Sequence, residues 1–303
     1  MAPAEPLGRT AGTFVPDGRQ ASMPAGLPAG HVAWWPGFHE RFTVGLDASI
    51  GNRARETPVR IYDPAWYRIL YGVLWTWLKF WLRLEYRWEE ALPPGPLVLV
   101  VNHPTVWDAF PILVWKHPGF VHVTIEDQIW SYPVPRRIFT MSNQIKLDMR
   151  PGMGRSALHD SLQVLHLRNN HNVLFSIEGG HVLPEDRSGV RARRGAVLLA
   201  MEAGCPILPI GVHLPRRNIL RKEFNYEFRG RRYADVSFVP RFRTRYRVHV
   251  GKPMDPRDSL GPTSTKEEYQ LFADKVLAEV YRLADEAAKA LKDPRGPRSE
   301  PAS

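Results

Sequence analysis

The sequence predicts an α/β fold, a mixed sheet flanked by helices and entered through an amphipathic helix near the N-terminus. Three observations predict it. Short apolar or β-branched runs recur at 97–101, 121–125, 173–177, 207–212, 236–239 and 245–250. Helix-length stretches at 108–115, 155–168 and 194–203 lie between them, and strands alternating with helices imply a sheet with crossover connections. The stretch 266–291 then carries apolar residues every three or four positions, the period of a helix that buries one face.

The elements follow in order along the chain. Residues 1–60 are rich in Pro, Gly and Ala and read as a loosely docked arm, with Trp34, Trp35 and Phe38 able to pin it to a surface. Asp63-Pro64 reads as an N-cap followed by proline at the first helical position. The segment 64–88, PAWYRILYGVLWTWLKFWLRLEYRW, reads as one helix. At about 100° per residue, Arg68, Lys79, Arg83 and Arg87 fall on one narrow stripe. A broad face carries Trp66, Ile69, Leu70, Val73, Leu74, Trp77, Leu78, Phe80, Trp81 and Leu84. Tryptophans suit headgroup depth and cations suit anionic lipid, so this is the pattern of an interfacial membrane helix. A core helix with its stripe at the surface is the competing reading.

Pro93-Pro94-Gly95-Pro96 breaks the pattern, and the strand at 97–101 runs to Asn102-His103-Pro104, where proline suits the first turn of a helix. Before 266–291, Ser264-Thr265-Lys266-Glu267 matches a capping box. The chain thus divides into an arm (1–60), an interfacial helix (61–90), a main domain (91–292) and a disordered tail (293–303).

Composition narrows the function. The chain has 303 residues, 44% hydrophobic and 24% charged, ordinary globular values. Its 41 Lys and Arg outnumber 31 Asp and Glu, a net charge of +10 that favours anionic partners. Much of the excess is local: 216–247 holds 11 basic and 3 acidic residues. With the stripe at 68–87, it points to an anionic lipid surface, to the phosphates of CoA or to an acidic acyl carrier protein. Its interleaved Phe and Tyr also suit nucleic acid, the alternative reading. The single cysteine, Cys205, excludes an internal disulfide, and no zinc spacing is present. His117, His122, His159, His166 and His171 read as structural, so no metal is expected. No secretory leader and no run of 18 apolar residues is seen. G-x-S-x-G, P-loop and G-x-G-x-x-G motifs are absent, against serine hydrolases, P-loop NTPases and Rossmann dehydrogenases.

Two segments carry chemistry. His103-Pro104-Thr105-Val106-Trp107-Asp108 directly follows a strand, and a His with a nearby carboxylate is the base-and-orienter pair of acid–base catalysis. Ser176-Ile177-Glu178-Gly179-Gly180-His181 also ends a strand, and the C-terminal edge of such a sheet is where ligands bind.

These segments resemble the glycerolipid acyltransferases, the family that includes the lysophosphatidic acid acyltransferases. Asn102-His103…Asp108 matches its N-H-x-x-x-x-D block, and Lys146-Leu147-Asp148-Met149-Arg150 resembles its second block. Phe175-Ser176-Ile177-Glu178-Gly179-Gly180-His181 resembles its F-P-E-G-T-R block, with His181 standing where the family has arginine. Arg193-Arg194-Gly195-Ala196, Cys205-Pro206-Ile207-Leu208-Pro209-Ile210 and Val250-Gly251-Lys252-Pro253 resemble its later elements, in order.

The resemblance implies a membrane-associated O-acyltransferase that moves a fatty acyl group to a lysophospholipid or related acceptor. His103 would be the general base and Asp108 its orienter. Glu178, Gly179, Gly180, His181, Arg150, Arg193 and Arg194 would bind the substrate, and Pro206 and Pro209 would shape the acyl side. It further implies direct attack on an acyl thioester without a covalent intermediate. Acyl-CoA or acyl carrier protein would be co-substrate, with no cofactor and no metal, at the cytoplasmic face of a membrane. An inactive acyltransferase-like scaffold that binds lipid is a third reading.

Overall fold

The computed structural model describes residues 64–114, 119–148, 154–167, 171–228 and 231–289, and for 64–67, 154, 155, 167, 222–228 and 231–238 it describes the backbone alone. The arm at 1–60, the Asp63 cap, His117 and the tail at 293–303 lie outside the described residues.

A seven-stranded sheet organises the rest. Its strands are β1 (Leu82–Trp88), β2 (Val98–Val101), β3 (Phe120–Glu126), β4 (Ile145–Leu147), β5 (His171–Ser176), β6 (Ile207–His213) and β9 (Thr244–Val250), in the order β1-β9-β6-β2-β5-β3-β4. Neighbours run parallel except β6 and β9, so the sheet is mixed as expected. Strand β2 sits at its centre between β5 and β6, every residue buried, which is why it reads as an unbroken apolar run.

One face is covered by α4 (Gly154–Leu167), α5 (Gly195–Ala203) and α6 (Lys266–Lys289), which pack on Val98, Val100, Val173 and Ile207. The alternate residues of the same strands, Leu99, Val101, Leu174 and Leu208, face α1 (Pro64–Trp81) and α2 (Ala109–Leu113). A further helix, α3 (Pro133–Met141), follows β3 with proline at its first position. The strands β7 (Ile219–Phe228) and β8 (Arg231–Pro240) form a separate antiparallel hairpin, so the basic stretch at 216–247 becomes a hairpin that leads into β9.

The helix read at 64–88 is corrected. It ends at Trp81, and Leu82–Trp88 is strand β1, paired in parallel with β9 from Leu82↔Thr244 to Trp88↔Val250. The sequence LRLEYRW alternates apolar and charged residues, and in β1 Arg83, Glu85 and Arg87 are exposed while the residues between them are buried or half-buried. The capping box also shifts by one residue. Thr265 N–H donates to Glu268 Oε2 (2.6 Å) and Glu268 N–H to Thr265 Oγ1 (3.2 Å), while Ser264 Oγ accepts from Gly261 N (2.9 Å).

Candidate active site

The site forms where β2 leaves the sheet. Beyond Val101, the Asn102 side chain takes over the pairing with β6: Nδ2 donates to Val212 O (3.1 Å) and Oδ1 accepts from Val212 N (2.8 Å). This rung fixes the direction of the chain as it enters His103. The next residues form a tight turn around a carboxylate. Asp108 Oδ2 accepts from Thr105 N (2.6 Å) and lies 3.1 Å from His103 Nδ1, and Oδ1 accepts from Thr105 Oγ1 (2.7 Å). Asp108 is fully buried, whereas the His103 side chain is 25% exposed. With Nδ1 turned to the carboxylate, Nε2 is the nitrogen offered to a substrate hydroxyl.

The Glu178 segment is strapped to this turn. Glu178 Oε2 accepts from His103 N (2.6 Å), Val182 N donates to His103 O (3.1 Å), and His181 Nδ1 lies 3.3 Å from that same oxygen. The His181 ring stands over the His103 ring, centroids 4.1 Å apart. Glu178 is buried, with the Tyr281 hydroxyl beside its carboxylate. Burial pushes its carboxyl from 4.5 up to about 7, with the His103 N–H opposing.

The sign of the resulting pH dependence is fixed. Between pH 4.5 and 7 the folded protein holds a proton at Glu178 that the unfolded chain has released, so raising the pH across this window destabilises the fold. The stability of the wild type relative to Glu178→Gln should therefore fall from pH 5 to 7 and level off above. Urea unfolding of both proteins measures it, and a difference that stays constant with pH would refute it.

Gly179 has φ +74°, in the left-handed region, and a Cβ there would lie 2.6 Å from Arg193 Nε. The glycine lets the Arg193 side chain cross the turn beside Glu178, and Arg193 N in turn donates to Ile177 O (2.7 Å). Gly179 N–H is directed to Ser176 O (3.3 Å), and Gly180 is exposed. Arg194 points elsewhere: its Nη1 lies 3.5 Å from Lys266 O at the start of α6.

The structure thus brings together His103, Asp108, Glu178, Gly179, Gly180, His181 and Arg193. It does not bring Arg194, Pro206 or Pro209. Pro206 precedes β6 at the opposite edge of the sheet, its carbonyl accepting from Val98 N (3.1 Å). Pro209 is buried in the middle of β6, beside Gly251. Arg150 lies outside the described residues.

Two residues were missed from sequence. Thr105 supplies two of the donors to Asp108 and sits inside the His103–Asp108 block, where its spacing could have flagged it. Tyr246, fully buried on β9, donates its hydroxyl to Asp108 Oδ1. It lies in the basic stretch read for charge, and no local pattern marks it.

Two other groups fall outside the site. Cys205 is buried, and burial pushes its thiol up to about 12, so it is no nucleophile. Among the described residues, Glu89, His249 and Glu286 have metal-ligand spacing. Arg282 pairs with both carboxylates, at 2.7 Å to Glu89 Oε1 and 2.5 Å to Glu286 Oε1, while Glu286 Oε2 lies 3.6 Å from His249 Nδ1.

Residues 83–213 match the family model described as Acyltransferase. This segment is an acyltransferase domain. The match encloses His103, Asp108, Glu178 and Arg193, so the activity class expected from the ordered blocks holds. The 1-acyl-sn-glycerophosphate (LPA) acyltransferase PlsC from Thermotoga maritima is similar in structure, at TM-score 0.46 and 16% identity. The alignment covers 86% of this chain and 91% of that one. No curated protein gives a significant match.

Proposed function

We propose that this acyltransferase works at a membrane surface, moving a fatty acyl group from an acyl thioester to a hydroxyl of a lysophospholipid or related lipid. The observation that carries the reading is the His103–Asp108 pair, with a buried carboxylate on Nδ1 and a part-exposed ring. Nε2 takes the proton of the acceptor hydroxyl as its oxygen attacks the thioester carbonyl. The tetrahedral intermediate collapses, the C–S bond breaks, and the departing thiolate takes the proton from the imidazolium. The acyl group passes directly to the acceptor, and CoA or an acyl carrier protein leaves as the free thiol. Arg193, held beside Glu178 by the Gly179 turn, supplies a cation for an anionic acceptor headgroup.

The surface around this turn favours a lipid substrate. On α1, Ile69, Val73, Trp77 and Phe80 are exposed. Trp77 packs on Trp107, with ring centroids 4.6 Å apart, and Trp107 belongs to the loop between His103 and Asp108. Exposed Phe242 joins the patch against Phe80 and Trp81, flanked by exposed Arg241, Arg243 and Arg245. An apolar patch edged by cations and continuous with the catalytic loop suits the face of an anionic bilayer. Among the described residues no helix is long and apolar enough to cross a membrane. The proposal places the contact at the cytoplasmic face, peripheral or monotopic, through this patch.

Acyl transfer from a long-chain acyl-CoA to vesicle-borne lysophosphatidate and to vesicle-borne monoacylglycerol tests the reading, followed as thiol release and product lipid. Arg193→Ala should raise KM for lysophosphatidate about tenfold, the worth of one charge-assisted contact, and leave monoacylglycerol unchanged. Wild-type enzyme that transfers to neither lipid, or Arg193→Ala that affects both equally, would overturn the acceptor assignment.

A further inference from the structure

We propose that Tyr246 is a positioning residue for this reaction: acting through Asp108, it sets how strongly the His103 imidazolium is stabilised. The proposal rests on the general-base reading above. Asp108 receives hydrogen bonds on both oxygens. Oδ2 serves Thr105 N–H and His103 Nδ1, and Oδ1 serves the hydroxyls of Thr105 and Tyr246. Three of these partners come from the turn itself. Tyr246 is the partner brought from across the fold, 138 residues along the chain.

Its setting makes it a fixed donor. Tyr246 is fully buried on β9, and burial, then the Asp108 charge, raises its phenol well above its ordinary value, so it stays protonated. Tyr86, the neighbouring phenol, is committed to Pro111 O (2.8 Å) and cannot take its place.

The consequence for catalysis has a definite sign. A hydroxyl on Oδ1 draws charge from the carboxylate and leaves less of it to stabilise a proton on His103. The Tyr246 hydroxyl therefore loosens the hold of Asp108 on the imidazolium. The other titratable or charged groups near the turn are His181, stacked on the ring, Glu178, bound to its backbone, and Arg193, which lies against Gly179. A change confined to Tyr246 leaves all three in place.

Two probes with opposite expected signs test this. In Tyr246→Phe the hydroxyl is lost, so the acidic limb of the kcat/KM pH profile should move up by about half a unit, with kcat down about tenfold and KM unchanged. With 3-fluorotyrosine placed at position 246, the donor is stronger and the shape nearly unchanged, so the limb should move down. A fall in kcat with an unmoved limb would assign Tyr246 to packing and overturn the proposal. If Tyr246→Phe fails to fold, the fluorotyrosine enzyme decides, and an unmoved limb there overturns it equally. His103→Ala separates the two levels. Full activity in that variant sinks the general-base reading itself, whereas loss of activity there beside unmoved limbs in both probes sinks the Tyr246 role alone.

Discussion

Replacing His103 with alanine should lower acyl transfer about a thousandfold, the scale of a lost general base, while leaving the unfolding midpoint close to that of the wild type. The two halves of this expectation have separate causes. The imidazole is the group that takes the proton, and the ring is held 3.1 Å from Asp108, a carboxylate fixed independently by Thr105 N–H and Thr105 Oγ1. The structural ties of the residue are on its main chain: its N–H to Glu178 and its carbonyl to Val182 N, both of which alanine keeps. The removed ring is a quarter exposed and stacks on His181, so the loss is confined to packing and breaks no main-chain bond. Thiol release with a long-chain acyl-CoA and a lysolipid measures the first half, and urea unfolding measures the second. Activity within tenfold of the wild type would remove His103 from the mechanism.

Gly211→Ala should produce the largest stability loss, about 3 kcal/mol or more, the upper range of overpacking penalties. Gly211 lies on β6 directly under α6, and a Cβ there would stand 2.2 Å from Ala284 N and 2.4 Å from Leu283 C. These are backbone atoms of a helix whose Val276, Val280 and Leu283 are buried, so relief requires α6 to lift from the sheet. Gly251 gives the internal contrast. Its added Cβ would meet Leu283 Cδ1 at 2.7 Å, the far end of a side chain that can rotate away, and Gly251→Ala should cost much less. Denaturant midpoints of the two variants, compared at constant m-value, measure the difference. Equal midpoints would show that the helix and sheet are not in contact at Gly211.

The catalytic core was legible where the signal is local. The run LVLVV is buried on both faces, and the blocks at His103 and Glu178 each follow a strand and meet at one edge of the sheet. Other features depend on partners remote in sequence. The segment Leu82–Trp88 continues the tryptophan-rich pattern of α1, and only its pairing with β9 makes it a strand. Arg193 and Arg194 are indistinguishable in the sequence. The Gly179 turn brings one to the site, while the carbonyl of Lys266 draws the other away. Tyr246 carries no local mark, because its role comes from the register of β9 beneath the catalytic turn. Pro206 and Pro209, read as shaping the acyl side, belong to a strand motif that resembles the family, and the fold uses them at a distance from His103.

The junction at Trp81 and Leu82 bears on how this protein can be dissected. Helix α1 passes into edge strand β1 with no intervening residue, so the helix has no hinge of its own and is built into the sheet. Removing residues 61–90 would strip β1 from β9 and turn a paired inner strand into a bare, adhesive border. Such a shortened chain would aggregate whatever its affinity for lipid. The membrane contribution of α1 is therefore accessible through substitutions on its outward face, at Ile69, Val73 and Phe80, with β1 left whole.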